Sequence, residues 1–309
     1  MNQATRCLAR PGDRAAAVVL AGARWSRSLT GAELFVLTLF VAACAAGFLG
    51  SLVGLGGGVL LVPLLTIGFG LPIRLAIGAS IVSVIATSSG AAAAYVRDRL
   101  TNVRLAIVLE VATSLGAIAG ALLSPFLPPN VLYLLFGVIL LASLVPTLGK
   151  LHAETPPGVQ DHPLSQRLHL ASSYPDRLSG EEVAYQVARV PLGLGLMSVA
   201  GIASGLLGIG SGALKVLAMD TAMRLPIKVS SATSNFMIGV TAAASAGIYF
   251  WRGDIVPLVA APVALGVLIG AVLGARVLPR VPARVVRVLF LITLVLVAAQ
   301  MLLRGLGLG

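Results

Sequence analysis

The sequence predicts an all-α polytopic membrane protein made of two homologous repeats of about five hydrophobic segments each. The second repeat is expected to be inverted, with short broken helices at the repeat interface. Three observations predict this class. Of 309 residues, 58% are hydrophobic and only 11% charged, at a mean hydropathy of +0.99, a composition that excludes an ordinary soluble domain. Several apolar runs approach or exceed the roughly 20 residues that cross a hydrocarbon core about 30 Å thick. The chain also repeats itself at a constant offset of 154 residues.

The elements follow in order. Residues 1–31 form a basic tail carrying Arg6, Arg10, Arg14, Arg24 and Arg27. Its apolar patch AAAVVLAGA is short and precedes no convincing cleavage site, so a signal peptide is not expected. The first transmembrane repeat, 32–148, holds apolar runs near 32–54, 59–71, 75–96, 103–124 and 131–148. A polar linker, 149–189, contains all three histidines (His152, His162, His169) with several prolines and mixed charges, and reads as a solvent loop or a short surface helix. The second repeat, 190–304, has runs near 190–207, 213–223, 229–251, 255–278 and 285–303, and residues 305–309 form a C-terminal tail.

At the fixed offset, residues 47–140 match 201–294 at 25 of 94 positions. An apolar alphabet inflates such a count, so the punctuation carries the weight. Gly54, Gly56 and Gly58 align with Gly208, Gly210 and Gly212, and Leu71-Pro72-Ile73 aligns with Leu225-Pro226-Ile227. Arg74 aligns with Lys228, Ser80 with Ser234, Tyr95 with Tyr249, Gly116 with Gly270, Gly120 with Gly274 and Pro125 with Pro279. An odd number of crossings per repeat inverts the second repeat, the arrangement of many secondary transporters, whose site lies at the repeat interface.

Orientation stays open at this level. Ten crossings with the N-terminus inside leave eight Lys or Arg inside and thirteen outside, against the positive-inside expectation. Turning the molecule over is one remedy. Making 59–71 and 213–223 re-entrant is another, since as helices they reach only about 16–20 Å; the count then becomes fourteen inside and seven outside.

GLGGG at 54–58 and GIGSG at 208–212 are the candidate site. Each helix-interior glycine costs about 1 kcal/mol relative to alanine, and backbone freed in hydrocarbon must be satisfied. Gly54, Gly56, Gly57 and Gly58 with Gly208, Gly210, Ser211 and Gly212 therefore mark two breaks whose N–H groups can face an anion. Close helix packing is the competing explanation, and it suffices for spaced pairs such as Gly116 and Gly120. Lys215, inside ALKVLAM, is the candidate fixed cation, with snorkelling to the interface as its alternative. Ser80 in GASIVSVIATSSG and Thr233, Ser234 and Asn235 in SSATSNF are candidate substrate ligands, although such side chains also bond back to their own helices. Glu110 and Asp220 are proton-coupling candidates; each also has a structural or surface alternative.

Other chemistries find no support in the sequence. No catalytic constellation and no metal spacing occur, Cys7 and Cys44 form no framework, and no cofactor is expected. The net charge of +11 falls mostly in the tail and short connections, where it anchors headgroups, so nucleic acid is not an expected partner. The expected partners are a small anionic substrate and the lipid bilayer, with a homodimer compatible. An anion channel and a membrane assembly or chaperone component are the alternative functions.

GLGGGVLLVPLL, LPIRLAIGAS, GIGSGALKVLAM and LPIKVSSATSNFMIGVTAAASAG resemble the sulfite exporter TauE/SafE family over about residues 34–303. The resemblance implies a multi-pass permease of the bacterial cytoplasmic (inner) membrane for small anions such as sulfite, sulfoacetate or related sulfonates, driven by an ion gradient. Ser211 stands where the pattern has glycine, and Leu217 where the first repeat has Pro63.

Overall fold

A computed structural model describes residues 29–53, 58–149, 162–175, 182–277 and 283–307. Gly54, Gly56 and Gly57 lie outside the described residues. Helix α1 (Leu29–Val53) is followed by the short α2 (Gly58–Pro63), which widens into a π-helical turn (Leu64–Gly68). Then come α3 (Ile73–Arg97), α4 (Val103–Leu123), a 3-10 turn (Ser124–Phe126) and α5 (Pro129–Gly149). The linker contributes α6 (Pro163–Arg167) and an antiparallel hairpin of β1 (Ser172–Pro175) and β2 (Glu182–Tyr185). The second series is α7 (Val190–Leu207), α8 (Gly212–Leu217), a π-helical turn (Ala218–Ala222), α9 (Ile227–Trp251), α10 (Pro257–Val277) and α11 (Ala283–Gly305).

Adding 154 to the bounds of α2, its π turn, α3 and α4 gives the bounds of α8, its π turn, α9 and α10. The reason is local. Each Leu-Pro-Ile triplet stops the π turn and starts the next helix, because proline fixes φ and lacks the N–H that a continuing helix needs. The same bond closes both turns: Leu71 N donates to Leu65 O at 3.0 Å, and Leu225 N to Met219 O at 3.1 Å.

The two series are exchanged in packing. Helix α1 lies on α10 and α4 on α7, while α3 crosses α9 and α5 meets α11. The α1–α10 and α4–α7 pairs touch backbone to backbone through glycines. A Cβ on Gly116 would collide with Ser198 O, and one on Gly270 with Cys44 O; Gly116 and Gly270 are 154 residues apart, as are Cys44 and Ser198. Gly201 abuts Thr113 O as Gly47 abuts Val267 O. The packing expected of Gly116 thus holds, and it joins elements of different series. On the outside, Leu37 and Val41 of α1, Ile107, Val111 and Leu115 of α4, and Leu265 and Ile269 of α10 are exposed at helical spacing, a surface suited to lipid. Among the described residues, five helices are long and apolar enough to cross a membrane.

Chain direction distinguishes the two topologies. Ala188 N, in the linker just before α7, donates to Met223 O, just after the second broken segment, at 3.1 Å. The chain thus leaves the linker side in α7 and returns to it through α8 and its π turn. Helices α4 and α9 run parallel, with Asn102 bonded to Thr233, Glu110 to Thr241 and Ala121 to Arg252. Two re-entrant segments would make α4 and α9 antiparallel, so that version of the topology is overturned. Helices α3 and α9, at equivalent positions, run antiparallel, since Gly78 at the start of α3 abuts Asp254 beyond the end of α9.

The linker is more than a solvent loop with a short helix. Leu170 and Val187 are fully buried, and Tyr174 and Tyr185 pack with them against Met219, Met223, Met237 and Leu105. Asn102 fastens it. Its Nδ2 donates to Leu170 O at 2.8 Å and to the Tyr185 hydroxyl at 3.0 Å, while its Oδ1 caps α4 by accepting from Leu105 N. Burial pushes the Tyr185 phenol up from its usual pKa, which keeps it neutral.

Two outcomes are expected. With α4 and α9 parallel, the ten-crossing reading of the sequence and its basic-residue count expect the linker on the cytoplasmic side. In a chain whose native cysteines are replaced by serine, an impermeant maleimide applied to intact cells should label Phe126→Cys and spare Ser172→Cys until lysis; the reverse pattern would refute this orientation. Gly201→Ala should destabilise by about 1–3 kcal/mol, read as thermal unfolding in detergent, whereas Gly195→Ala, with open space around it, should be neutral or stabilising.

Candidate functional site

The described parts of the two breaks meet where α3 crosses α9. Ser80 Oγ lies 2.9 Å from Gly208 O and 3.2 Å from Gly58 O, so one hydroxyl joins both breaks. Ser234 Oγ donates to Gly212 O at 3.1 Å, the counterpart of the Ser80 to Gly58 bond. Each hydroxyl holds the first residue of a short helix against its neighbour. Side-chain volume fills the rest: Gly58 abuts Val84, and Gly212 abuts Ile238.

The second break has a definite conformation. Gly208 caps α7 at φ +66, Gly210 follows at φ +73, and Ser211 is left-handed at φ +46. A non-glycine residue in that region costs on the order of 1–2 kcal/mol. Ser211 is also buried, and its Oγ has no hydrogen-bond partner in the structure. Its carbonyl accepts from Lys215 N at 3.0 Å, which sets Lys215 one turn further along.

Lys215 is fully buried. Side chains lean toward the N-terminus of their helix, and the lysine accordingly reaches back along α8, where its Nζ donates to Thr241 Oγ1 at 2.5 Å. Thr241 Oγ1 in turn lies 2.6 Å from Glu110 Oε1 and 2.8 Å from Met237 O. Ser114 Oγ donates to the same Glu110 oxygen at 2.8 Å. A cation on α8 and an anion on α4 are thus joined through one hydroxyl on α9. Glu110 lies about 10 Å from the linker-side end of α4 and about 20 Å from the other end, by the helical rise. The bridged lysine and carboxyl are therefore deep in the hydrocarbon, where an isolated charge costs at least about 2.5 kcal/mol. Glu110 itself is buried, and its Oε2 has no hydrogen-bond partner.

The other candidates occupy the periphery of this arrangement. Thr233 Oγ1 accepts from Asn102 N at 3.1 Å and so ties α9 to the head of α4. Asn235 bonds back to Ser231 O, and its own carbonyl accepts from Ser88 Oγ across the α3–α9 crossing. Asp220 sits partly buried in the π turn beyond Lys215. Thr241 was not legible as a site residue from its neighbourhood, TAAAS. The available signal was its identity with Thr87 at the 154 offset. Among the described residues there is no cluster of His, Cys, Asp and Glu able to hold a metal.

Ser211→Gly should raise the thermal midpoint in detergent, equivalent to about 1 kcal/mol, since it removes both the left-handed strain and a buried unpartnered hydroxyl. A lowered midpoint would show that the serine is stabilising where it stands.

The family model described as sulfite exporter TauE/SafE matches residues 39–301. The chain is 26% identical over 274 residues to the probable membrane transporter protein YunE of Bacillus subtilis (strain 168), covering 86% of this chain and 97% of that protein. It is 25% identical to the probable membrane transporter protein YdhB of the same organism, covering 76% of this chain and 85% of that one. It is also 25% identical to the probable membrane transporter protein ORF9 of Sinorhizobium sp, covering 85% and 91%. No solved structure gives a significant match. With the family model spanning most of a chain whose apolar helices make it a multi-pass membrane protein, the chain belongs to the sulfite exporter TauE/SafE family.

Proposed function

We propose that the protein is a secondary transporter of small anions, with sulfite or an organosulfonate such as sulfoacetate as cargo, and not an enzyme. Membership of a family named for sulfite export, and relatives named as probable membrane transporters, support the class. The observation that carries the anion reading is Lys215, fully buried at mid-membrane depth and held by a single side-chain hydroxyl. An intramembrane cation of this kind is costly unless it is used. It stands three residues beyond Gly212, beside the meeting of the two breaks, which is where transporters with paired repeats place their cargo. Ser211 Oγ, buried and without a partner, is a second donor one turn away. The remaining hydroxyls of Ser80 and Ser234 shape the site by holding its backbone.

In proteoliposomes under an imposed proton gradient, labelled sulfite or sulfoacetate should accumulate with saturable kinetics. Lys215→Met should reduce uptake at least tenfold, the loss expected for a charge-assisted contact, while the protein still elutes as a folded species. If neither anion moves under a gradient of either direction, the transporter assignment for this cargo class fails.

A further inference from the structure

The bridge through Thr241 gives Glu110 a role that rests on the transporter reading above and goes beyond it. In the arrangement present, Lys215 is already neutralised, and the neutralising group is a carboxylate that belongs to the protein. An anionic cargo that used Lys215 would stand beside Glu110, two negative charges against one positive at a depth where net charge is disfavoured. The conflict resolves if Glu110 takes up a proton. Its Oε2 is buried and without a partner, and so is free to receive one.

The surroundings leave Lys215 as the charge that Glu110 answers. From α9 the facing group is Thr241, with Lys228 exposed at the linker end of that helix and Tyr249 bonded to Gly205 O near the other. Helix α7, packed along α4, has no charged or titratable side chain between Val190 and Leu207. The π turn after α8 carries Asp220, and the linker sets Tyr185 against Asn102 at the head of α4. On α4 itself Ser114 donates to Oε1, and Arg104 is exposed in the first turn.

We propose that Glu110 is a tethered stand-in for the transported anion, which leaves Lys215 by protonation as cargo takes its place. The empty site contains Lys215 charged and Glu110 ionised. The loaded site contains Lys215 charged, Glu110 protonated on Oε2 and one monovalent anion. Both have the same total charge, so a proton and an anion enter from one side and leave together on the other. The cycle is symport of one proton with one monovalent anion, and it is electroneutral.

Methanesulfonate, a monoanion that does not titrate between about pH 5 and 8, is the probe. In proteoliposomes with a pH dye inside, an inward methanesulfonate gradient should acidify the lumen by one proton per anion, and a valinomycin-set potential should leave the rate unchanged. In detergent, wild-type affinity should fall tenfold per pH unit wherever Glu110 is ionised, as for one linked proton. Glu110→Gln removes the competitor permanently. Where Lys215 is charged and the wild-type Glu110 is ionised, it should bind methanesulfonate at least tenfold tighter than wild type, without the carboxylate-linked pH dependence, and it should move no protons. Thr241→Val should lower the proton-to-anion ratio, and Thr241→Ser should restore it. The proposal is overturned if wild type carries methanesulfonate without protons, or if Glu110→Gln binds more weakly or still acidifies the lumen. A purely structural bridge would lower the thermal midpoint of both variants and leave the proton-to-anion ratio intact, which also overturns it. If wild type moves protons with sulfite but the ratio ignores position 110, the coupling claim falls alone; if no anion moves at all, the transporter reading falls with it.

Discussion

Hydrocarbon offers no hydrogen bonds, so backbone groups freed within it have to find partners inside the protein. The interior is organised by this requirement. The starts of α2 and α8 and the end of α7 bring backbone carbonyls into the interior, and Ser80 and Ser234 bond those of Gly58, Gly208 and Gly212. Burying Lys215 requires an acceptor and a countercharge, and Thr241 and Glu110 provide them from two different helices. The left-handed residues Gly208, Gly210 and Ser211 then let the chain turn between α7 and α8 within the few residues available.

The same requirement relates the two series of helices. Each broken segment is too short to bury its own ends, so it leans on the helix that follows it: α2 on α3 and α8 on α9. Because α3 and α9 cross antiparallel at equivalent positions, the two breaks approach each other from opposite directions. The likeness is incomplete. Leu61 occupies the position equivalent to Lys215, Ala264 that of Glu110, and a linker anchored by Asn102 covers one end only. The scaffold is shared between the series, while the charge chemistry belongs to the crossing of α8, α9 and α4.

Much of the fold was legible because its signals are local. Glycine clusters and Leu-Pro-Ile triplets force backbone breaks whatever surrounds them, and a fixed offset places the second set once the first is seen. Lys215 and Glu110 stood out because charge is rare in apolar runs. Their connection was not legible: residues 110, 215 and 241 are far apart in sequence, and a threonine in an alanine-rich helix has no local distinction. The linker hairpin was missed for a related reason. Its buried Leu170, Tyr185 and Val187 are too widely spaced to form a periodic pattern, and they are buried through long-range packing on Leu105, Met219, Met223 and Met237, with Asn102 tying the segment to α4. The serines were legible as a group but not in their role, since a hydroxyl near a break serves backbone and ligand equally well.

The glycine contacts at Gly47, Gly116, Gly201 and Gly270 have a mechanical consequence. Where helix backbones touch with no side chain between them, neither can slide or roll without collision. Helix α1 is thereby locked to α10, and α4 to α7. Any rocking that opens the centre has to move these couples whole, and each contains one helix from either half of the chain. Each tightly packed couple therefore cuts across the division of the chain into an earlier and a later series of helices.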